Sequence, residues 1–214
     1  MHRYISSKGF LTDEENGNRT RPMQEALKFW DKAAARYAKS PIQDMTSYEY
    51  TMGRTKTYLK ESDHMLEVGC GTGSTALLLS DSVARITASD LSGNMIDIAR
   101  QKAQEQGASN VDFVASDLFG SAIEQGSYDV VLALNLIHLI EDTPAVLKRI
   151  NSLVKPGGYF ISKPVCKPGA GIPFKLRLML VALPLMQWFK MAPFVNFMEI
   201  ETLESHVAEA GFKI

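Results

Sequence analysis

Cysteine is scarce: Cys70 and Cys166 are the only two in 214 residues, which is no disulfide framework and fits a reducing, cytoplasmic setting. Charge of one sign is also missing. The formal net charge is -1, so nothing draws the chain in bulk to nucleic acid or anionic lipid, and a nucleic-acid partner is not expected. His2, His64 and His206 lie apart without metal-ligand spacing, and no metal site is expected. The longest uncharged apolar run goes only from Leu178 to Phe189 and is broken by Pro184, too short to span a bilayer. The first residues, "MHRYISSKGFLTDEENGNRT", lack the apolar core of a secretory signal, and residues 1–21 are expected to form a flexible arm. There is no internal repeat and no low-complexity tract.

What remains is a globular composition, 45% hydrophobic and 22% charged, enough for one domain over residues 22–214. From Pro22, the positions Met23, Leu27, Trp30, Ala34 and Tyr37 recur at helical spacing, and a second stripe follows at Met45, Tyr48, Met52 and Leu59. These cap helices, 22–62, precede a segment in which short apolar strands alternate with helices. Strands are expected at "MLEV", "RITASD", "VDFVASD", "YDVVLALN" and, after a "KPGG" turn, "YFISK". Ser92 caps the helix "GNMIDIARQKAQEQ", which stops at Gly107. The pattern predicts a mainly parallel α/β sheet over 63–163. An apolar insert over 164–200 separates the fifth strand from a last helix, and residues 201–214 are expected to hold that helix and the start of a sixth strand.

In "LEVGCGTGS" the glycines 69, 71 and 73 stand on alternate positions behind a strand and ahead of a helix. Such a turn brings bare backbone and free helix amides up to a ligand. Asp90 closes the next strand 21 residues after Gly69, where a carboxylate meets the hydroxyls of a ribose, and Asp117 closes the third strand. The dinucleotide fingerprint Gly-x-Gly-x-x-Gly is not met, because the third glycine falls one residue early. Glu67 just before the turn would repel a pyrophosphate but suits a cationic sulfonium with an amino-acid tail.

The segments "LEVGCGTG", "ASDLSGNMIDIAR", "VASDLF", "YDVVLALNLIHLI" and "LVKPGGYFISK" together resemble the successive motifs of class I S-adenosylmethionine-dependent methyltransferases, with the layout of ubiquinone and menaquinone biosynthesis enzymes. The resemblance runs from about Trp30 to Ile214. It implies a Rossmann-like doubly wound sheet of seven strands, the last antiparallel, with S-adenosyl-L-methionine as cofactor. It also implies that Glu67, Gly69, Cys70, Gly71 and Gly73 hold the methionine part, Asp90 the ribose and Asp117 the adenine amine. Leu91, Met95 and Leu118 would flank the adenine, Asn135 and Leu136 would present backbone near the sulfonium, and Tyr37 would act as a lid. Because the chain stops at Ile214, the last hairpin of that fold is expected to be incomplete.

A sulfonium methyl is already activated, so the work left is to align a nucleophile and exclude water. If a base is needed, His138 is the nearest candidate of suitable pKa; a structural histidine bonded to backbone is the alternative. Arg54 would reach a carboxylate unless it is a solvated surface arginine. The segment "IPFKLRLMLVALPLMQWFKMAPFVNF" is unusually apolar for a connection. It suggests a small apolar acceptor beneath a hydrophobic cap, or peripheral membrane contact through 172–198. Two other readings are a binding module without catalysis and an NAD-dependent oxidoreductase.

Overall fold

The computed structural model describes residues 21–167, 181–183, 185–189 and 192–214. The arm expected over 1–21 therefore lies outside the described residues but for its last position, as does much of the apolar insert.

Five parallel strands make one sheet in the order β3-β2-β1-β4-β5. They are β1 (His64–Val68), β2 (Arg85–Asp90), β3 (Val111–Ala115), β4 (Tyr128–Leu134) and β5 (Val154–Lys163). The doubly wound α/β class expected from the alternation is the class observed. The central strands are buried on both faces, and their residues alternate between two cores. Met65, Ile86, Val130 and Leu132 point to one; Leu66, Val68, Val131 and Ala133 point to the other. This two-sided burial explains why the strands read as continuous apolar runs. The chain winds outward from β1 to β3 and then returns to lay β4 on the other side of β1, so the winding reverses between β1 and β4. Ligands of such sheets bind outside the strand C-termini at that reversal.

Helices follow their local signals. In α4 (Gly93–Gln106) the Ser92 hydroxyl accepts from the Met95 amide, and Gly107 closes the helix in the left-handed region. Asp142 caps α5 (Thr143–Leu153) by accepting from Ala145. The short α3 (Ser74–Leu79) leaves the glycine turn directly. Two further helices come first in the chain, α1 (Arg21–Lys39) and α2 (Met45–Lys56). One contact locks α1 across the N-terminus of α4: the Ser92 hydroxyl donates to Asp31 Oδ1 at 2.5 Å, and the Asn94 side chain donates to the Asp31 carbonyl at 3.1 Å.

Three local expectations need correction. "KPGG" is not a turn ahead of β5 but a bulge inside it, since the register jumps from Tyr128↔Val154 to Val130↔Tyr159. Gly158 permits this, because a Cβ there would sit 2.5 Å from the Asp129 carbonyl. Strand β3 stops at Ala115, so Asp117 lies in the following loop, where its Oδ1 accepts from the Phe119 amide at 2.8 Å. The C-terminal helix α6 (Ile200–Glu209) ends before Gly211, and no sixth strand starts. The Phe212 amide turns back to the Val207 carbonyl, and its ring packs on Phe160 at 5.2 Å. Five strands are thus present among the described residues, against the seven that the resemblance implies.

Gly73 has φ +75°, and a Cβ on it would lie 2.7 Å from the Phe113 ring and 2.8 Å from the Ala99 methyl. Gly73→Ala is expected to lower stability by about 2–4 kcal/mol, from backbone strain and overpacking together. Urea unfolding of the variant checks this; an unchanged midpoint would show that α3 and α4 yield to the methyl.

Candidate functional site

The strand ends at the β1/β4 reversal open into a cavity of about 260 Å³ roofed by α1 and α2. Strand β1 contributes Glu67 and passes into the turn Gly69, Cys70 and Gly71. Asp90 and Leu91 come from the end of β2, Met95 from α4, Asp117 and Leu118 from the loop after β3, and Asn135 and Leu136 from the end of β4. Tyr37 reaches in from α1. All of these were expected from the sequence.

The turn is built around glycine for two reasons. Gly69 is pressed by Leu136, whose Cδ1 would lie 2.8 Å from an added Cβ, whereas at Gly71 the left-handed φ of +53° is itself the constraint. Gly71 donates its amide to Asp90 Oδ2 at 2.9 Å, and the Ser92 amide donates to Asp90 Oδ1 at 2.8 Å. Asp90 therefore sutures the turn after β1 to the helix after β2. Burial nevertheless raises its pKa; the two amide bonds oppose this and the charge of Asp31 adds to it. Asn135 has φ +54°, the sole non-glycine positive φ among the described residues. Its amide is fixed by the Lys163 carbonyl at 3.0 Å, so the exit of β4 is held in a sparsely populated conformation beside the cavity.

Glu67 is the most unusual group. It is 3% exposed, and its Oε2 has no hydrogen-bond partner. Burial pushes its carboxyl up to about 8; the Ala76 amide opposes the rise and the charge of Asp90 reinforces it. Tyr37 packs its ring edge-on to Trp30, with centroids 6.3 Å apart. Its phenol is shifted upward by burial, then by Asp90 and Glu67. One wall of the cavity thus carries acidic groups short of positive charge, while Met23, Trp30, Met52, Leu139, Ile140 and Val146 make much of the rest apolar.

Residues 65–158 match the family model of a methyltransferase domain. Over those residues the chain is similar to a methyltransferase domain. It is 28% identical over 184 residues to a demethylmenaquinone methyltransferase of Lactococcus lactis, covering 77% of this chain and 73% of that one. It is 37% identical over 138 residues to a ubiquinone biosynthesis O-methyltransferase of Xanthomonas euvesicatoria. That match covers 62% of this chain, which spans about half (54%) of that relative's length. Among solved structures, an S-adenosylmethionine-dependent methyltransferase from Thermotoga maritima superposes with a TM-score of 0.67 at 21% identity, over 88% of this chain and 81% of that one. At that identity the likeness speaks for the fold.

Two expected residues fall outside the cavity. Gly73 serves the packing of the turn against Phe113 of β3 and Ala99 of α4 rather than the cavity wall. His138, 8% exposed, sits in a 3-10 turn behind it. Its Nδ1 accepts from the Val165 amide at 3.2 Å, its carbonyl accepts from the Asn196 amide at 2.7 Å, and burial lowers its pKa. It ties down the two ends of the insert, in keeping with the structural role given above as the alternative to a base. Cys70 lines the cavity with its thiol pKa raised well above the ordinary value, first by burial, so it is an inert packing group.

Sequence reasoning missed Trp30, Tyr48, Thr51 and Lys163 as cavity residues. The helical stripes of α1 and α2 were visible, but their partner surface was not. Lys163 had a usable signal, since it is the last residue of a strand whose C-terminus points to the site.

Glu67 generates a prediction. The native state keeps its proton up to about 8, whereas the ordinary value is 4.5. The unfolded chain therefore releases that proton first, and stability falls as pH rises through this window, by at most about 1.4 kcal/mol per pH unit. Urea unfolding between pH 5.5 and 7.5 should show a shallower decline for Glu67→Gln than for wild type. Parallel declines would remove Glu67 as the source.

Proposed function

We propose that this chain transfers a methyl group from S-adenosylmethionine to a small apolar acceptor by in-line displacement. The observation that carries the reading is Glu67, which lines the cavity beside the glycine turn and has one buried carboxyl oxygen without a partner. A buried carboxylate without a partner is destabilised until a cation meets it, and an amino-acid ammonium is such a cation. When bound, the cofactor supplies a methyl on a positively charged sulfur.

The residues fit that group. In this reading Glu67 takes the ammonium, and the backbone of Gly69, Cys70 and Gly71 lies along the methionine part. Asp90 keeps lone pairs beyond its two amide bonds, enough to accept from ribose hydroxyls. Asp117 has a second oxygen for the adenine amine, between Leu91, Met95 and Leu118. Asn135 and Leu136 lie toward the sulfonium. Tyr37 and Trp30 on α1 exclude water from above, which strengthens every charge interaction beneath. A pyrophosphate would meet Glu67 unfavourably, which speaks against NAD.

The acceptor is read as apolar from the lining that α1, α2 and the segment after β4 contribute. Val181, Leu185, Trp188 and Phe189 are exposed at 57–78%. This exposed row supports a peripheral contact with a lipid surface, and no helix among the described residues is long and apolar enough to cross a membrane. Both cysteines are free, in keeping with a reducing cytoplasm.

The test is transfer of tritiated methyl from S-adenosylmethionine into organic-extractable product across a panel of apolar phenols, amines and isoprenoids. Label in the organic phase is expected. Binding of S-adenosylhomocysteine without transfer to any acceptor would instead assign a binding module. Asp90→Ala is expected to weaken S-adenosylhomocysteine binding by about 1.5–3 kcal/mol, the scale of hydrogen bonds to a charged group. Unchanged affinity would remove Asp90 from the ribose role.

A further inference from the structure

Lys163, at the end of β5, is the one cation lining the central cavity among the described residues, whereas the acids Glu67, Asp90 and Asp117 all stand on the β1–β3 side. Its Nζ donates to Thr51 Oγ1 at 2.9 Å and reaches the Ser47 carbonyl at 3.5 Å, both on α2. The Thr51 hydroxyl spends its own proton on the Ser47 carbonyl at 2.7 Å. Lys163 forms no ion pair with a described residue. Asp44 feels its charge but accepts from the Ser47 amide at 2.9 Å as the cap of α2. An ammonium has three protons, and these contacts leave one free.

Thr51 and Lys163 also line a second, open cavity of about 680 Å³ on the outer side of α2. Tyr50, Arg54 and Tyr58 line it too, and neither aspartate nor glutamate does. Arg54 is already engaged, with Nη2 donating to the Tyr58 hydroxyl at 3.1 Å. Lys163 therefore stands at the junction of the central cavity, on the side away from its acids, and a groove lined by neither aspartate nor glutamate. A cation here would repel a cationic methyl donor unless the acceptor brought a negative charge between them.

We infer that the acceptor is an apolar acid, a hydrophobic body bearing a carboxylate, and that Lys163 is the specificity-determining residue that binds this carboxylate at the mouth of the cavity. The inference rests on the methyltransferase reading and names the class of its acceptor. One free ammonium proton suits a monoanion; a phosphate would call for several donors. The carboxylate does not react. It fixes the apolar body so that the nucleophilic atom lies deeper, toward Asn135.

The experiment is calorimetric titration of the full chain, saturated with S-adenosylhomocysteine, with 4-butylbenzoate and with its neutral analogue 4-butylbenzyl alcohol. Wild type should prefer the acid by about ten-fold or more, the scale of a charge-assisted hydrogen bond. Lys163→Gln should erase the preference while leaving the alcohol's affinity within about two-fold, and Lys163→Arg should restore it. Equal affinities in wild type, a preference that survives in Lys163→Gln, or equal loss of both probes would overturn the inference. So would failure of both probes to bind while S-adenosylhomocysteine binds, which leaves the methyltransferase reading standing. Failure of S-adenosylhomocysteine itself to bind would remove that reading and the inference with it.

Discussion

The carboxylate of Asp90 is the tie on which the site depends. Its two oxygens accept from Gly71 at 2.9 Å and from Ser92 at 2.8 Å, joining the turn after β1 to the start of α4. Ser92 in turn donates its hydroxyl to Asp31 of α1. Four elements are thereby held in register through Asp90 and Ser92: β1, β2, α4 and the roofing helix. Charge-assisted bonds to amides are among the stronger ones available, and here they shape a turn whose other atoms are mostly glycine.

This construction places acids where the fold alone gives their ionised forms nothing to pair with. Glu67 is forced up to about 8 and Asp90 is raised as well, both mainly by burial. Carboxylates so disposed weaken the folded state, and they persist at sites where a ligand supplies what is missing. The apolar roof completes the division of the cavity. Acid on one wall suits a cationic donor, and hydrophobic surface opposite suits an acceptor that water would otherwise surround.

The floor was legible in the sequence because it rests on local chemistry. The limits of β2 and α4 follow from "RITASD", the Ser92 cap and Gly107, and the glycine turn announces itself by spacing. The division of labour among the glycines was not legible, since Gly73 faces Phe113 of β3 and Ala99 of α4, contacts that only the assembled fold creates. His138 looked like a base because position after β4 does not reveal orientation, and the amide of Val165 captures its ring. Burying α1 and α2 over the strand ends brought in Trp30 and Thr51, which no periodicity assigns to a cavity. The bulge in β5 escaped notice because "KPGG" has the composition of a turn, and pairing with β4 overrides that preference.

The central claim is that the glycine turn, Glu67 and Asp90 together select a cationic amino-acid nucleoside over a dinucleotide. Parallel calorimetric titration of the purified chain with S-adenosylhomocysteine and with NAD tests this most directly. The account predicts saturable binding of S-adenosylhomocysteine and none of NAD at matched concentrations. Saturable binding of NAD alone would contradict it.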